Sequence, residues 1–393
     1  MLAVLFLART CLALTFQGLG TVAPLAGPAL GLDHAAMGEL MGLYWLPGIV
    51  LALPAGLLAQ RFGPKRLAIT SLMVTAAGSF LLARSDGYAL AAAARIIGGS
   101  GSALLSVLIS AMVAAWFRGR ELSTALAILF ESWSFGLALT IAALPLIAAR
   151  VSWPHAIDVT GIACLVAAVL TGFAYRSPPG PQDGGSPAGS RRDLAQAVKR
   201  RSLLPSLAAV LWTTYNAGQL ILLTYTPPML AARGLTLPAA AVATSLTAWL
   251  AMASMPLGGI LADRRFGLVT AVALGCLGAG AAGIALCLGA NAVGGAVVLG
   301  LFIGLPAGGL FSLPVRLSAP EHVAWSLGWF MTVYYALLTL AQWLAGYVRE
   351  ATSDRATVFL ACGLLLATAA GILPVHLVQR ARAASMSGGE SGV

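Results

Sequence analysis

Apolar runs of some twenty residues follow one another almost from end to end of this 393-residue chain. Each is long enough to cross a hydrocarbon core of ~30 Å as a helix. Inside lipid every backbone polar group needs a partner within the protein, so only helices and closed barrels can span. The alternating pattern and regular turns of a membrane barrel are absent here. The predicted fold class is therefore an all-α membrane protein. Composition agrees: 59% of residues are apolar and 9% charged, where a soluble domain carries about a quarter charged residues. Twelve transmembrane helices are expected, at roughly 2–25, 37–59, 67–84, 87–115, 121–148, 154–175, 204–228, 238–262, 268–289, 292–315, 323–347 and 356–378.

The longest weakly hydrophobic stretch, from Arg176 to Arg201, divides these spans six and six. It opens as a Pro/Gly/Ser linker, RSPPGPQDGGSPAGS, and closes as a basic segment, RRDLAQAVKRR, suited to a membrane surface. The expected organisation is an N-terminal six-helix bundle (1–175), a linker (176–203), a C-terminal six-helix bundle (204–379) and a tail (380–393). The net charge of +10 follows this topology. One side collects Arg61, Lys65, Arg66, Arg118, Arg120, the basic linker, Arg264, Arg265, Arg316, Arg380 and Arg382. The other holds only Arg84, Arg150, Arg233, Arg349 and Arg355. The positive-inside rule then places both termini and the linker in the cytoplasm. A multi-pass protein of a bacterial inner (cytoplasmic) membrane is expected. The N-terminus lacks a basic n-region and a small-x-small cleavage site, so the first apolar run reads as a retained helix. All five cysteines fall in apolar runs with no CxxC, so packing roles and no disulfide are expected.

Two loops echo each other. Gly56–Leu67 reads GLLAQRFGPKRL, and Gly259–Gly267 reads GILADRRFG. Both run Gly-x-Leu-Ala, then an acid or amide, then Arg, then at most one residue, then Phe-Gly, at matching places in the two halves. That is the mark of a duplicated unit. With the six-and-six arrangement, this resembles the major facilitator superfamily over essentially the whole chain. Gly56, Leu58, Ala59, Arg61, Gly63 and Lys65 match that family's loop, Gly-x-Leu-Ala-Asp-Arg-x-Gly-Arg-Lys. Gln60 stands where the family has Asp, and Pro64 where it has a basic residue. Arg95-Ile-Ile-Gly-Gly99-Ser-Gly101 is similar to the family's fourth-span Arg-x-x-x-Gly-x-Gly. Trp116-Phe-Arg-Gly-Arg-Glu121 and Glu131-Ser-Trp-Ser-Phe-Gly136 resemble cyanate-permease-type members, which move small anions. The resemblance implies two pseudo-symmetric bundles that rock about a central cavity, and a proton-coupling role for Arg95. It also implies a conformational clasp from Gly56, Gln60, Arg61, Gly63, Arg66, Asp263 and Arg264. Gln60 carries no charge, so the charged clasp either weakens or shifts to Asp263. The bland alternative is that these residues are loop chemistry and cytoplasmic anchors.

A charge inside a span costs ~2.5–3.5 kcal/mol at the helix centre, so each one is a functional candidate. Glu131 lies about 15 Å along its helix from Glu121, at ~1.5 Å per residue. It is a candidate proton site, the counter-charge of an arginine, or the wall of a solvated cavity. Arg95 either couples protons and binds substrate or ties the bundle together through backbone carbonyls. Arg9 either forks a small planar anion or snorkels to the interface. If Glu131 pairs with one arginine, the other is left to attract an anion. The second half offers polar and aromatic groups: Trp212, Tyr215, Asn216, Gln219 and Tyr225, then Trp329, Tyr334, Tyr335 and Gln342. Tyr215, Asn216 and Gln219 share one helical face. Substrate contacts are expected from Arg9, Arg95, Tyr215, Asn216, Gln219, Tyr334 and Tyr335, and proton coupling from Glu131 and Arg95. Aromatic residues in spans also serve as plain core or interfacial belt. The run Leu299–Leu313 is interrupted at Pro306 and corresponds in position to the glycine cluster behind Arg95; such interruptions mark either the moving elements or close helix packing.

The expected function is secondary transport of a small organic or inorganic anion, proton-coupled, by a monomer. Its partners are the substrate, protons and the lipid bilayer, with no nucleic acid, cofactor or metal. The rival is a proton-driven exporter of hydrophobic or cationic compounds using Glu131 as cation partner. An intramembrane enzyme needs reactive groups clustered at one depth, whereas His34, His155, His322 and His376 are scattered at span ends. No GxxxxGK[ST] loop exists to bind a nucleotide.

Overall fold

The computed structural model describes residues 1–52, 54–117, 122–176, 203–263, 267–317 and 323–387. All their regular structure is helical. In chain order the helices are α1 (Leu2–Ala29), α2 (His34–Leu43), α3 (Leu46–Leu51), α4 (Ala55–Phe62), α5 (Pro64–Ala83), α6 (Tyr88–Trp116), α7 (Leu122–Arg150), α8 (Trp153–Ala174), α9 (Leu203–Ala231), α10 (Leu237–Asp263), α11 (Gly267–Cys287), α12 (Ala292–Ile303), α13 (Leu305–Arg316), α14 (Val323–Ala351) and α15 (Asp354–Ser387). Ten stretches, with α12 and α13 counted together, are long and apolar enough to cross a membrane. Outside that set lie the more polar α9 and the three short pieces α2–α4. The linker expected at 176–203 falls almost wholly outside the described residues.

Prolines explain the pieces. A proline lacks the N–H of the helical ladder, and its ring strikes the carbonyl four residues back. Pro47 therefore stops α2 and starts α3 from its first turn. Pro54 stands at the N-cap of α4. Pro306 separates α12 from α13, as the interruption in Leu299–Leu313 predicts. Its expected counterpart in the fourth span is not broken: α6 is continuous from Tyr88 to Trp116. The glycines behind Arg95 serve close approach instead. A Cβ on Gly99 would lie 2.1 Å from the Tyr44 carbonyl oxygen. The interrupted span of the first half is the second, not the fourth.

The duplicated loops fold alike where both are described. Gly63 has φ +82° and Gly267 has φ +75°, a left-handed conformation that suits glycine. Each hands the chain to the next long helix. Pro64 takes the first turn of α5, where its missing N–H has no intrahelical acceptor to lose.

Within the first half α5 packs on α6 and α8, and α1 packs on α7 and α8. Within the second, α9 and α11 pack on α15, and α12 packs on α10 and α11. Large apolar side chains such as Val166, Val169 and Phe173 on α8 and Leu274 and Leu277 on α11 remain exposed. An apolar surface of this extent is stable against lipid rather than water.

The halves meet unevenly. The outer faces of α2 and α3 lie along α14, and α7 lies along α10. A Cβ on Gly38 would come within 2.4 Å of the Gly346 Cα, so the two backbones touch. Gly42 receives the Trp343 indole, and Gly48 the Tyr335 ring. The Trp343 Nε1–H donates to the Glu39 carbonyl at 3.1 Å. The His34 backbone N–H donates to Glu350 Oε2 at 2.8 Å, placing a carboxylate on the positive end of α2. Among the described residues α4 has no comparable packing on α14. Among the described residues the contact of α2–α4 with α14 is thus closed at the end holding Asp33 and Glu350 and is not continued by α4.

Candidate functional site

Arg95 is 2% exposed and has no carboxylate partner among the described residues. Its guanidinium is spent on backbone. Nε donates to the Leu40 carbonyl at 2.9 Å, Nη1 to Thr15 at 3.0 Å and Nη2 to Phe16 at 3.4 Å. The Tyr44 ring faces it at 4.4 Å, and the Tyr44 hydroxyl lies 2.6 Å from Thr15 Oγ1. One side chain from α6 thereby fixes α1 and α2 to one another. Of the two expectations for Arg95, this geometry matches the tie through carbonyls.

Arg9 and Glu131 lie at one level of neighbouring helices, where Thr10 of α1 donates to the Ser132 carbonyl of α7. They do not pair. Arg9 lies over the Phe130 ring at 4.4 Å and makes one long hydrogen bond, Nη1 to the Leu129 carbonyl at 3.4 Å. Tyr334 and Tyr335 of α14 are within its electrostatic range. Glu131 is half-buried, and its Oε2 is shielded from solvent with no hydrogen-bond partner. Tyr215 of α9 is within its range. Between α1 and α7 on one side and α9 and α14 on the other there is thus one cation and one carboxylate, each unpaired among the described residues.

The face shared by Tyr215, Asn216 and Gln219 is buried on α9. Its members are not equally available. The Tyr215 hydroxyl donates to the Ile303 carbonyl at 2.6 Å, a group left at the end of α12 by the break at Pro306. Asn216 Nδ2 donates to the Trp212 carbonyl of its own helix at 3.0 Å. Trp329 Nε1–H donates to Ser206 Oγ at 2.9 Å. Tyr334 and Tyr335 are buried side by side with centroids 5.4 Å apart. Because Tyr215 caps a carbonyl that no other described group satisfies, Tyr215→Phe is expected to destabilise the protein by about 1–3 kcal/mol. Thermal unfolding in detergent measures it; an unchanged midpoint would free the hydroxyl for substrate.

Some residues at this seam escape sequence reasoning. Gln17 is fully buried on α1, with Nε2 donating to Thr224 Oγ1 of α9 at 3.2 Å and Oε1 unpartnered. An amide in the middle of an apolar run was the available signal. Trp45, at the junction of α2 and α3, packs at a tilt against Phe16 at 4.7 Å and reaches Trp133, Tyr334 and Tyr335. Phe130 and Phe311 touch across the seam at 5.0 Å. Nothing in their residue type separates them from ordinary core.

Of the expected clasp, Arg61 and Arg66 are exposed, and Arg61 lies over its neighbour Phe62 at 5.4 Å. Gly63 supplies the turn. Gly56 and Gln60 belong to α4 and Asp263 ends α10, but their side chains, and Arg264 altogether, lie outside the described residues.

A family model described as Major Facilitator Superfamily matches residues 5–335. The inner membrane transport protein YajR of Escherichia coli (strain K12) is 34% identical over 137 residues, 34% of this chain and 29% of that protein, so the chain spans under a third of that relative. A protein described as an uncharacterized 38 kDa protein in the 23S RNA operon of Thermoproteus tenax is 28% identical over 355 residues, 89% of this chain and 88% of that one. Among solved structures, a bacterial homolog of the human lysosomal transporter Spinster, inward-facing and occupied, superposes with a TM-score of 0.73 at 14% identity, covering 96% of this chain and 95% of that one. The nucleoside transporter NupG does so with 0.73 at 14% identity, covering 95% and 100%.

Proposed function

The chain belongs to the Major Facilitator Superfamily, and on that premise we propose that this multi-pass membrane transporter moves a small anion by proton-coupled alternating access. Its twelve spans form two six-helix bundles, 1–175 and 204–379, with both termini in the cytoplasm. The end sealed by α2 and α14 then faces outward, and the carrier stands open to the cytoplasm. The observation that carries the reading is the unpaired Arg9–Glu131 couple at the seam. Arg9 has unspent N–H donors for an anionic group. Glu131, with no cation beside it, is free to take and release a proton. Tyr334, Tyr335, Asn216 and Gln219 complete the substrate contacts, and Arg95 positions α1 and α2. The basic loop after α4 and its echo after α10 form the cytoplasmic clasp.

A second reading, export of hydrophobic or cationic compounds, draws on the same Glu131, whose unpartnered oxygen suits a cation as well as a proton. Proteoliposome uptake of labelled small anions and lipophilic cations, with and without an inward proton gradient, separates the two. Expected are anion uptake that rises with the gradient, loss of that rise in Glu131→Gln, and affinity about tenfold or more lower in Arg9→Ala, which removes charge-assisted hydrogen bonds. Movement of lipophilic cations alone would sink the anion reading and support the exporter. Uptake indifferent to the gradient would remove Glu131 from coupling.

A further inference from the structure

Five side chains from five helices form a row across the seam. The Arg9 guanidinium of α1 lies 4.4 Å from the Phe130 centroid of α7. Phe130 meets Phe311 of α13 at 5.0 Å. Phe311 meets Trp212 of α9 at 5.3 Å, and Trp212 meets Tyr334 of α14 at 6.3 Å. Tyr334 and Arg9 stand at the two ends of this row. Both halves of the chain contribute, so the row cannot be the packing of one bundle alone.

Its position is equally specific. The seal between α2–α3 and α14 runs along α14 from Glu350 through Gly346 and Trp343 to Tyr335, whose ring lies against Gly48. The row begins at the next residue, Tyr334, which also meets Trp45 of the first half at 6.2 Å. Arg9, Phe130, Trp212 and Phe311 are each half-buried, while Tyr334 and Trp45 behind it are buried. The row is therefore partly accessible at the seam, with Arg9 beside Phe130 as its cation.

Resting on the reading of Arg9 as the anion site, we infer that this aromatic row, a partial collar beside Arg9, selects a flat organic anion, with a carboxylate-type group on Arg9 and an unsaturated ring system lying against Phe130, Phe311, Trp212 and Tyr334. Aromatic faces carry negative potential. A bare mineral anion would meet those faces with no ring of its own to stack. A planar body places its positive edges and its own face against them, while its charge stays on the guanidinium. Phe130 and Phe311 become specificity-determining residues under this reading.

The test uses the full-length protein in detergent or nanodiscs and measures direct binding of benzoate, cyclohexanecarboxylate, acetate and nitrate by calorimetric titration. Benzoate is expected to bind about tenfold more tightly than acetate or nitrate and about threefold more tightly than its saturated analogue, from aromatic pairing. Phe311→Leu, which keeps an apolar side chain, is expected to bring benzoate down to the affinity of cyclohexanecarboxylate. Phe311→Tyr should retain the preference. Acetate or nitrate binding as tightly as benzoate, and still requiring Arg9, would overturn the collar while leaving the anion transporter standing. Equal binding of benzoate and cyclohexanecarboxylate would also overturn it, reducing the collar to an apolar wall. Failure of every anion, with tetraphenylphosphonium bound in a Glu131-dependent way, would overturn the anion reading itself.

Discussion

Gly38→Ala is expected to cut transport by about tenfold or more while leaving the protein folded, because overpacking a close backbone contact costs ~1–3 kcal/mol. The added Cβ would lie 2.4 Å from the Gly346 Cα and 2.8 Å from both the Gly346 nitrogen and the Gln342 carbonyl oxygen. All three are backbone atoms and cannot swing aside. Alanine favours a helix by roughly 1 kcal/mol over glycine, so α2 itself is not weakened. The cost falls only on the state in which α2 and α14 touch. A carrier that must visit both states loses turnover when one is raised by this much, since ~1.4 kcal/mol is a tenfold change in population. Spin labels at His34→Cys and Thr352→Cys flank the seam on exposed positions. The five native cysteines are buried. The label-to-label distance should lengthen in Gly38→Ala, and Gly346→Ala should do the same from the other side. Wild-type distances together with wild-type transport would show that the seal is not part of the cycle.

Where helices run along the chain was legible in the sequence, and the way each is turned was not. Helix spans followed from apolar runs, because lipid imposes one length and one kind of backbone pairing. Each predicted run has a helical counterpart, and α15 runs on past its span to Ser387. The kinship of the two loops was legible because Gly63 and Gly267 each hold a backbone conformation that few other residues tolerate. Pro306 announced the break in the tenth run. Pro47 and Pro54 were equally visible, but the apolar run around them masked that the second run is three helices. The candidate charges were identified by position alone, since a charge in a span is costly wherever it points. Their partners were not. Glu131 and Arg9 sit at one level yet face apart, with the ring of Phe130 under the guanidinium. Residue spacing on one helix does not say which way the neighbouring helix is turned. Phe130 and Phe311 stayed hidden for a related reason: an aromatic side chain in a membrane helix becomes informative only once its neighbours across the seam are known.

Arg95→Lys is expected to lower the unfolding midpoint by about 2–5 °C, from the loss of roughly 2–4 kcal/mol of charge-assisted hydrogen bonding. The guanidinium fork spans three carbonyls on two helices, Leu40 on α2 and Thr15 and Phe16 on α1. An ammonium is a point charge with a different reach and cannot bridge all three. Lysine keeps the positive charge, so the comparison isolates the fork from the field. A removal such as Arg95→Met would confuse the two, because it also relieves the burial of a charge with no carboxylate partner among the described residues. The same variant decides what Arg95 does in transport. As a tie between α1 and α2, it should leave the remaining uptake in Arg95→Lys as dependent on the proton gradient as in the wild type. Glu131→Gln should show the opposite pattern, a wild-type midpoint with the gradient dependence gone. An Arg95→Lys protein of undiminished stability that no longer responds to the gradient would place Arg95 in the proton path, and its three carbonyl bonds would then belong to one state of the cycle rather than to the fold.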